Sequence, residues 1–115
     1  MWDVDFYKTK DNKVPVEEFL EILDAKMRAK AIHELQILEQ LGSSLREPHS
    51  KPVKDGLFEL RIKIGSDISR IFYFFRVGNK IILTNGFIKK TTKTPKGEIA
   101  KALKYKDDYE RRYGK

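Results

Sequence analysis

The sequence predicts one α+β domain spanning residues 1–115, in which helices pack on an antiparallel sheet. Three observations lead to this prediction. Three β-like segments between residues 57 and 88 follow one another through tight turns, as consecutive hairpin strands do. A helical pattern of apolar residues spans residues 16–41, and a second one follows Pro95. Strands grouped between helices favour an α+β fold over alternating βαβ units.

The N-terminal part is predicted to contain a short strand and a helical segment with a break. Apolar side chains alternate with other residues along residues 2–7, which is typical of a strand. Pro15 suits the first turn of a helix, and Gly42 is a good helix stop. Between them, apolar residues recur at three- and four-residue steps, and Asp24-Ala25 marks a plausible break. We therefore expect a helical hairpin or a kinked pair.

The clearest strand lies at residues 57–64, where the two faces differ in chemistry. Apolar and polar side chains alternate along it, so Glu59, Arg61 and Lys63 share one face. The apolar side chains on the opposite face are predicted to contact the helices. The face that carries Arg61 is then expected to stay partly open to solvent.

Two further strands are predicted at residues 68–77 and 80–88. The turn residues Gly65–Asp67 precede the first of them, and Gly78-Asn79 joins the two. Consecutive strands joined by tight turns form an antiparallel meander. Arg70 opens the first of these strands and is expected at the rim of the sheet.

The remaining segments are a loop and a final helix. Residues 43–54 are predicted to form a loop, because Pro48 and Pro52 disfavour regular structure there. The last helix is predicted to start at Pro95, with Thr94 as its N-cap.

Charge is distributed unevenly along the chain. Residues 1–50 contain 7 Lys/Arg and 10 Asp/Glu, whereas residues 51–115 contain 17 and 7, and the formal net charge is +7. A basic sheet region favours a polyanionic partner, most simply nucleic acid. The alternative is a solubilising surface with no dedicated partner.

Several chemistries and locations are disfavoured by the composition. The chain has no cysteine, and its two histidines are isolated in sequence, so neither a thiolate site nor another metal site is expected. We expect no cofactor. The sequence shows no secretory signal and no apolar run long enough for a membrane span, which predicts a cytoplasmic protein without membrane contact.

The candidate site residues are cations on neighbouring strands, with aromatic residues beside them. Arg61, Arg70, Lys89 and Lys90 are predicted to hold phosphate, and Phe72 to stack on a base. The competing interpretation makes Arg61 a surface residue paired with Glu59 and places the aromatic residues in the core.

Three ordered motifs in the second half of the chain resemble a known toxin family. They are Lys51–Ile62 (KPVKDGLFELRI), Arg70–Tyr73 (RIFY) and Asn85–Lys90 (NGFIKK), followed by Lys93-Thr94-Pro95 and Glu98-Ile99. Together they resemble the HigB-type, phage-derived branch of the RelE/ParE toxin superfamily. The resemblance covers roughly residues 51–103, and the first half agrees only in element order and helical pattern.

The resemblance implies a RelE-like fold, with two N-terminal helices on one face of the sheet and a C-terminal helix. It further implies a toxin of a type II toxin–antitoxin pair that acts as a ribosome-dependent mRNA endonuclease. In such enzymes the 2′-hydroxyl attacks the adjacent phosphate without a metal ion. The implied partners are mRNA, the ribosome and a HigA-like helix-turn-helix antitoxin, which links the toxin indirectly to operator DNA.

The same resemblance assigns Arg61, Arg70 and Lys90 as catalytic residues. The residues expected to contact RNA are Lys54, Lys63, Phe72, Lys89 and Lys93. The general base is not identified. The alternative to an enzyme is a non-catalytic basic RNA-binding module, and a structural or DNA-binding protein is less favoured because no recognition helix is evident.

The antitoxin is expected to dock on the predicted helices of residues 16–41. Their acidic side chains would suit a basic partner. The acidic residues concerned are Glu17, Glu21, Glu34 and Glu39.

Overall fold

The computed structural model describes residues 1–90 and 92–115. Its helices and strands confirm the predicted α+β class. In chain order they are β1 (Asp3–Phe6), α1 (Pro15–Ile22), α2 (Ala25–Leu41), a short 3-10 turn (Gly42–Ser44), β2 (Ser50–Lys54), β3 (Leu57–Ile64), β4 (Asp67–Arg76), β5 (Lys80–Lys89) and α3 (Lys96–Tyr113). Within these described residues, no helix is long and apolar enough to cross a membrane.

One five-stranded sheet, with strand order β1-β5-β4-β3-β2, organises the molecule. Strands β2 to β5 form the antiparallel meander, which confirms the predicted hairpins. Strand β1 pairs with β5 in parallel. Parallel pairing requires a crossover connection, and α1 and α2 lie in the long connection between β1 and the meander.

Helices α1 and α2 cover one face of the sheet, and the predicted break between them is confirmed. Leu23 is extended, and the Asp24 side chain caps α2 by accepting a hydrogen bond of 2.8 Å from the Met27 amide. The Arg28 guanidinium donates to the carbonyl oxygens of Leu20 and Leu23 at the end of α1. These bonds satisfy helix ends that would otherwise lack partners, and so they fix the corner.

Helix α3 covers part of the opposite face, and the part that carries Arg61 and Lys63 stays partly open to solvent, as predicted. Leu57, Phe72 and Phe87 form an apolar cluster with Ala102 of α3. Phe72 has no exposed surface, and its ring packs 5.4 Å from that of Phe87. The predicted base-stacking role of Phe72 is therefore wrong, since burial under α3 leaves no ring face for a base.

The interpretation of residues 43–54 as a loop is only partly right, because Ser50–Lys54 forms β2. This strand lies at the edge of the sheet, where a proline is tolerated because one side of the strand makes no ladder bonds. The pairing with β3 is irregular between Pro52 and Lys54. The predicted N-cap of α3 also needs correction, since the Thr94 hydroxyl bonds to Glu59 and does not cap the helix.

Gly86 allows α1 to lie against β5. A Cβ atom built at this position would be 2.4 Å from Cδ2 of Phe19, which is part of the core. Because the neighbouring atom belongs to a buried ring, an added methyl group forces the helix or the ring to shift. The close approach of α1 to β5 therefore depends on glycine here.

We expect Gly86→Ala to lower the free energy of unfolding by about 1–3 kcal/mol through overpacking. Urea denaturation of the purified variant measures this change. Gly97→Ala is the matched control, because a Cβ at Gly97 meets no atom within 4 Å and alanine suits a helix. Equal stabilities of the two variants would contradict the packing argument.

Candidate active site

Two arginines lie directly opposite each other on adjacent strands. The turn at Gly65-Ser66 pairs Ile64 with Asp67, and the same register places Arg61 of β3 opposite Arg70 of β4. Both side chains project from the sheet face that α3 partly covers, because they alternate with the core residues on the other face. The structure therefore brings together two of the three predicted catalytic residues.

A buried carboxylate holds the two guanidinium groups together. Glu59 Oε2 lies 3.2 Å from Nε of Arg70 and 3.6 Å from Nε of Arg61. Its other oxygen, Oε1, accepts a hydrogen bond of 2.8 Å from the Thr94 hydroxyl. Glu59 is only 3% exposed, so this carboxylate acts as an internal anchor for both arginines.

Burial is the main electrostatic influence on Arg70, which is 5% exposed. Desolvation lowers the pKa of Arg70, and the Glu59 carboxylate opposes this change. The prediction that Arg70 lies at the rim of the sheet is wrong, since Arg70 lies within the central strand β4 and its side chain is enclosed beside the Glu59 carboxylate. A desolvated guanidinium is also a stronger partner for an anion than a hydrated one.

A bulge in the sheet turns Lys89 toward the same face. The pairing of β4 with β5 shifts by one residue between Ile71 and Tyr73. On the side of this shift toward the end of β5, Phe87 is opposite Arg70 and Lys89 is opposite Ile68. A shift of one residue exchanges the two faces of a strand. Lys89 therefore lies on the arginine side of the sheet.

Lys89 experiences the positive potential of its neighbours. Desolvation by burial lowers its pKa most, and the charge of Arg70 lowers it further, whereas Glu59 opposes the change. Lys51 also contributes to this lowering of the pKa, and it lies opposite Glu59 on the neighbouring strand. Sequence reasoning did not assign Lys51 to the site, although its alternation with Ser50 on the edge strand places it on this face.

The arginines open onto a cleft of about 340 Å³, which we call the arginine cleft. Its lining includes Glu34, His49, Arg61, Lys63, Ile68 and Arg70. Lys63 is exposed, so the predicted RNA-contacting role of this residue remains compatible with its position. Three cations on one cleft wall suit a phosphate group.

Lys89 and Lys90 line a neighbouring cleft of about 480 Å³ between the α1–α2 corner and the ends of β4 and β5. Lys90 is exposed and Lys89 is half-buried. Ile68 borders both clefts, so they adjoin each other along β4. The third predicted catalytic residue, Lys90, thus lies next to the arginine cleft and not inside it.

Two further predicted RNA contacts lie outside these clefts. Lys54 pairs with Leu57 at the far end of β3, which is four residues, or about 13 Å, from Arg61. Lys93 is exposed in the segment before α3. Lys54 is therefore separated from the arginines, whereas Lys93 stands one residue before the Thr94 hydroxyl that bonds to Glu59.

Sequence reasoning undervalued the residues that anchor this site. The alternation along β3 already placed Glu59 beside Arg61, but its burial depends on Thr94 and Arg70. Glu34 was predicted to lie on an acidic docking surface, which is wrong because Glu34 is 2% exposed. In residues 1–90 and 92–115, no group of three His, Asp or Glu side chains is arranged to hold a metal ion.

Comparison with protein-family models matches residues 18–107 to the family described as Phage derived protein Gp49-like (DUF891). The match covers most of the chain, and this protein therefore belongs to that family. The family is associated with toxin–antitoxin systems, whose toxins are often ribonucleases. None of the curated proteins matches the sequence. The phage-derived part of the resemblance is confirmed, and the narrower HigB assignment stays a prediction.

Proposed function

We propose that this protein is a HigB-type toxin that cleaves mRNA on the ribosome in the cytoplasm and is neutralised by a cognate antitoxin. The observation that supports this most is the pair of opposed arginines, Arg61 and Arg70, anchored on one buried carboxylate. Membership of a toxin–antitoxin-associated family supports the biological context.

The proposed reaction is attack of an RNA 2′-hydroxyl on the adjacent phosphate. It leaves a 2′,3′-cyclic phosphate and a 5′-hydroxyl. Negative charge gathers on the phosphoryl oxygens in the transition state, and preorganised cations stabilise that charge without reorganising. Arg70 and Arg61 suit this task, because Glu59 already fixes their position before RNA binds.

The lysines are assigned supporting roles. We assign Lys89 as the donor of a proton to the leaving 5′ oxygen, because its lowered pKa favours release of a proton near the arginines. Lys63 of the arginine cleft and Lys90 of the neighbouring cleft are both exposed and would hold flanking phosphates. Lys93 would extend that contact along the RNA, and Lys54 would act only on more distant nucleotides.

Analysis of product ends tests this function. We expect the purified protein, with programmed ribosomes, to give cyclic-phosphate and 5′-hydroxyl ends at the cut sites. A short RNA without ribosomes, assayed with EDTA, separates the chemical step from the magnesium that ribosomes require. Products with 5′-phosphate ends would overturn the mechanism. Tight RNA binding without cleavage would favour the alternative, a non-catalytic RNA-binding module.

The proposed partner is a HigA-like helix-turn-helix antitoxin that binds α1 and α2 and connects the complex to operator DNA. Glu17 and Glu21 are exposed on α1, and Glu39 is half-buried on α2, so a basic partner would find acidic side chains there. Growth arrest on expression, relieved by the neighbouring gene, tests the pairing. Hydrogen-exchange protection confined to the arginine cleft would reject this docking surface.

A further inference from the structure

Helix α2 carries a buried acidic side chain, Glu34, which lies beside a histidine. Glu34 is 2% exposed, and its Oε1 lies 2.8 Å from Nδ1 of His49, a residue 15 positions later in the chain. Its other oxygen, Oε2, lies 3.5 Å from the Lys30 ammonium. Burial of an ionised carboxylate is costly unless hydrogen bonds compensate, so this pairing needs a structural or functional reason.

The histidine belongs to the arginine cleft. His49, Arg61 and Arg70 line the same cavity, and the backbone carbonyl of His49 accepts a hydrogen bond of 2.8 Å from the Arg61 amide. The His49 side chain is 42% exposed, so solvent and ligands reach the ring. A titratable ring thus borders the cations that the proposed function assigns to phosphate.

The bond to Glu34 sets the chemistry of the exposed ring nitrogen. A carboxylate only accepts hydrogen bonds, so Nδ1 of His49 carries the proton in that bond. The neutral ring then has its lone pair on Nε2, which has no hydrogen-bond partner among residues 1–90 and 92–115. A ring nitrogen of this kind, oriented by a carboxylate on the other nitrogen, is suited to proton transfer.

We propose that His49 is the general base of this cleft and that Glu34 is its positioning residue. The proposal rests on the proposed RNA cleavage. The 2′-hydroxyl proton passes to Nε2 as the bond from the 2′ oxygen to phosphorus forms. The bond from phosphorus to the 5′ oxygen breaks, and that oxygen takes a proton from Lys89 or water. The imidazolium then returns its proton to solvent.

The surroundings of the ring carry both signs of charge. Glu34 contacts the ring from α2, and the cations of the cleft are Lys30, Arg61, Lys63 and Arg70. The Glu34 carboxylate compensates the positive charge that the ring gains when it accepts the 2′-hydroxyl proton during the reaction.

Single-turnover cleavage with defined product ends tests the role of His49. We expect His49→Ala to slow cleavage by about a hundredfold, and free imidazole to restore part of the rate. His33→Ala is the matched control, because His33 is exposed on α2 and lies outside the arginine cleft. Unchanged cleavage by His49→Ala, with an active wild type, would overturn this inference alone. A wild type that leaves RNA intact would overturn the proposed function as well.

The ¹⁵N chemical shifts of the ring test the role of Glu34 without any activity. The wild type should show the proton on Nδ1 of His49, and Glu34→Gln should keep it there because the amide oxygen still accepts. Glu34→Leu should release that tautomer and slow cleavage to a similar extent as His49→Ala. An unchanged tautomer in a folded Glu34→Leu variant, or equal cleavage rates in Glu34→Gln and Glu34→Leu, would reject the positioning role.

Discussion

Replacing Arg70 by alanine is expected to slow RNA cleavage by about a hundred- to a thousandfold and to abolish growth arrest. Removing one preorganised contact to a developing charge costs about 3–4 kcal/mol of transition-state stabilisation. Arg70 is the more buried of the two opposed arginines. In the alanine variant, water therefore cannot easily take over the contact that its guanidinium makes with the phosphate. Single-turnover rates of the wild type and the variant measure the effect.

Two further variants separate the catalytic role of Arg70 from a structural one. Arg70→Lys keeps the charge beside Glu59 but loses the planar fork, so it should fold well and still cleave slowly. Arg76→Ala removes an arginine from the same strand, where it bonds to the Tyr113 carbonyl away from the cleft. Wild-type rates in a folded Arg70→Ala variant, or an equal loss in Arg76→Ala, would refute the assignment.

Replacing Glu59 by glutamine is expected to lower the free energy of unfolding by about 3 kcal/mol and to impair cleavage. Loss of the charge leaves the enclosed Arg70 without its counter-ion, and removing one partner of a buried ion pair is strongly destabilising. Arg61 also loses its anchor, so both guanidinium groups become free to reorient. Urea denaturation at neutral pH measures the loss of stability.

The control for this change is Asp107→Asn on α3. Asp107 pairs with Arg111 at 3.0 Å on the exposed surface of the helix, where such pairs contribute little. We expect its stability to fall by less than about 1 kcal/mol. Full stability of Glu59→Gln together with lost cleavage would instead make Glu59 a reacting group and would contradict its role as an anchor.

Much of the fold follows from local sequence patterns. The meander was predictable because the alternation and the turn residues lie within a few positions of each other. The helix break at Asp24 was predictable for the same reason. The strand β2 was missed because Pro52 argues against a strand unless its place at the sheet edge is known.

The candidate site was predictable in part. Once Gly65-Ser66 is recognised as the two-residue turn, counting outward places Arg61 opposite Arg70, so this contact has a signal in the sequence. The burial of Phe72 has no such signal in the sequence, because it depends on where α3 packs. The assignment of Lys90 placed a cation beside the cleft but not in it.

The α+β class and the hairpin order follow from the sequence alone, since each depends on residues close together in the chain. The rest of the site depends on the tertiary structure. The bulge in β5 determines on which face of the sheet Lys89 lies. Packing of the elements places Thr94 against Glu59 and His49 against Glu34. These contacts join residues 15 to 35 positions apart. These polar contacts are strong because they are buried, and they become buried only when the helices pack on the sheet.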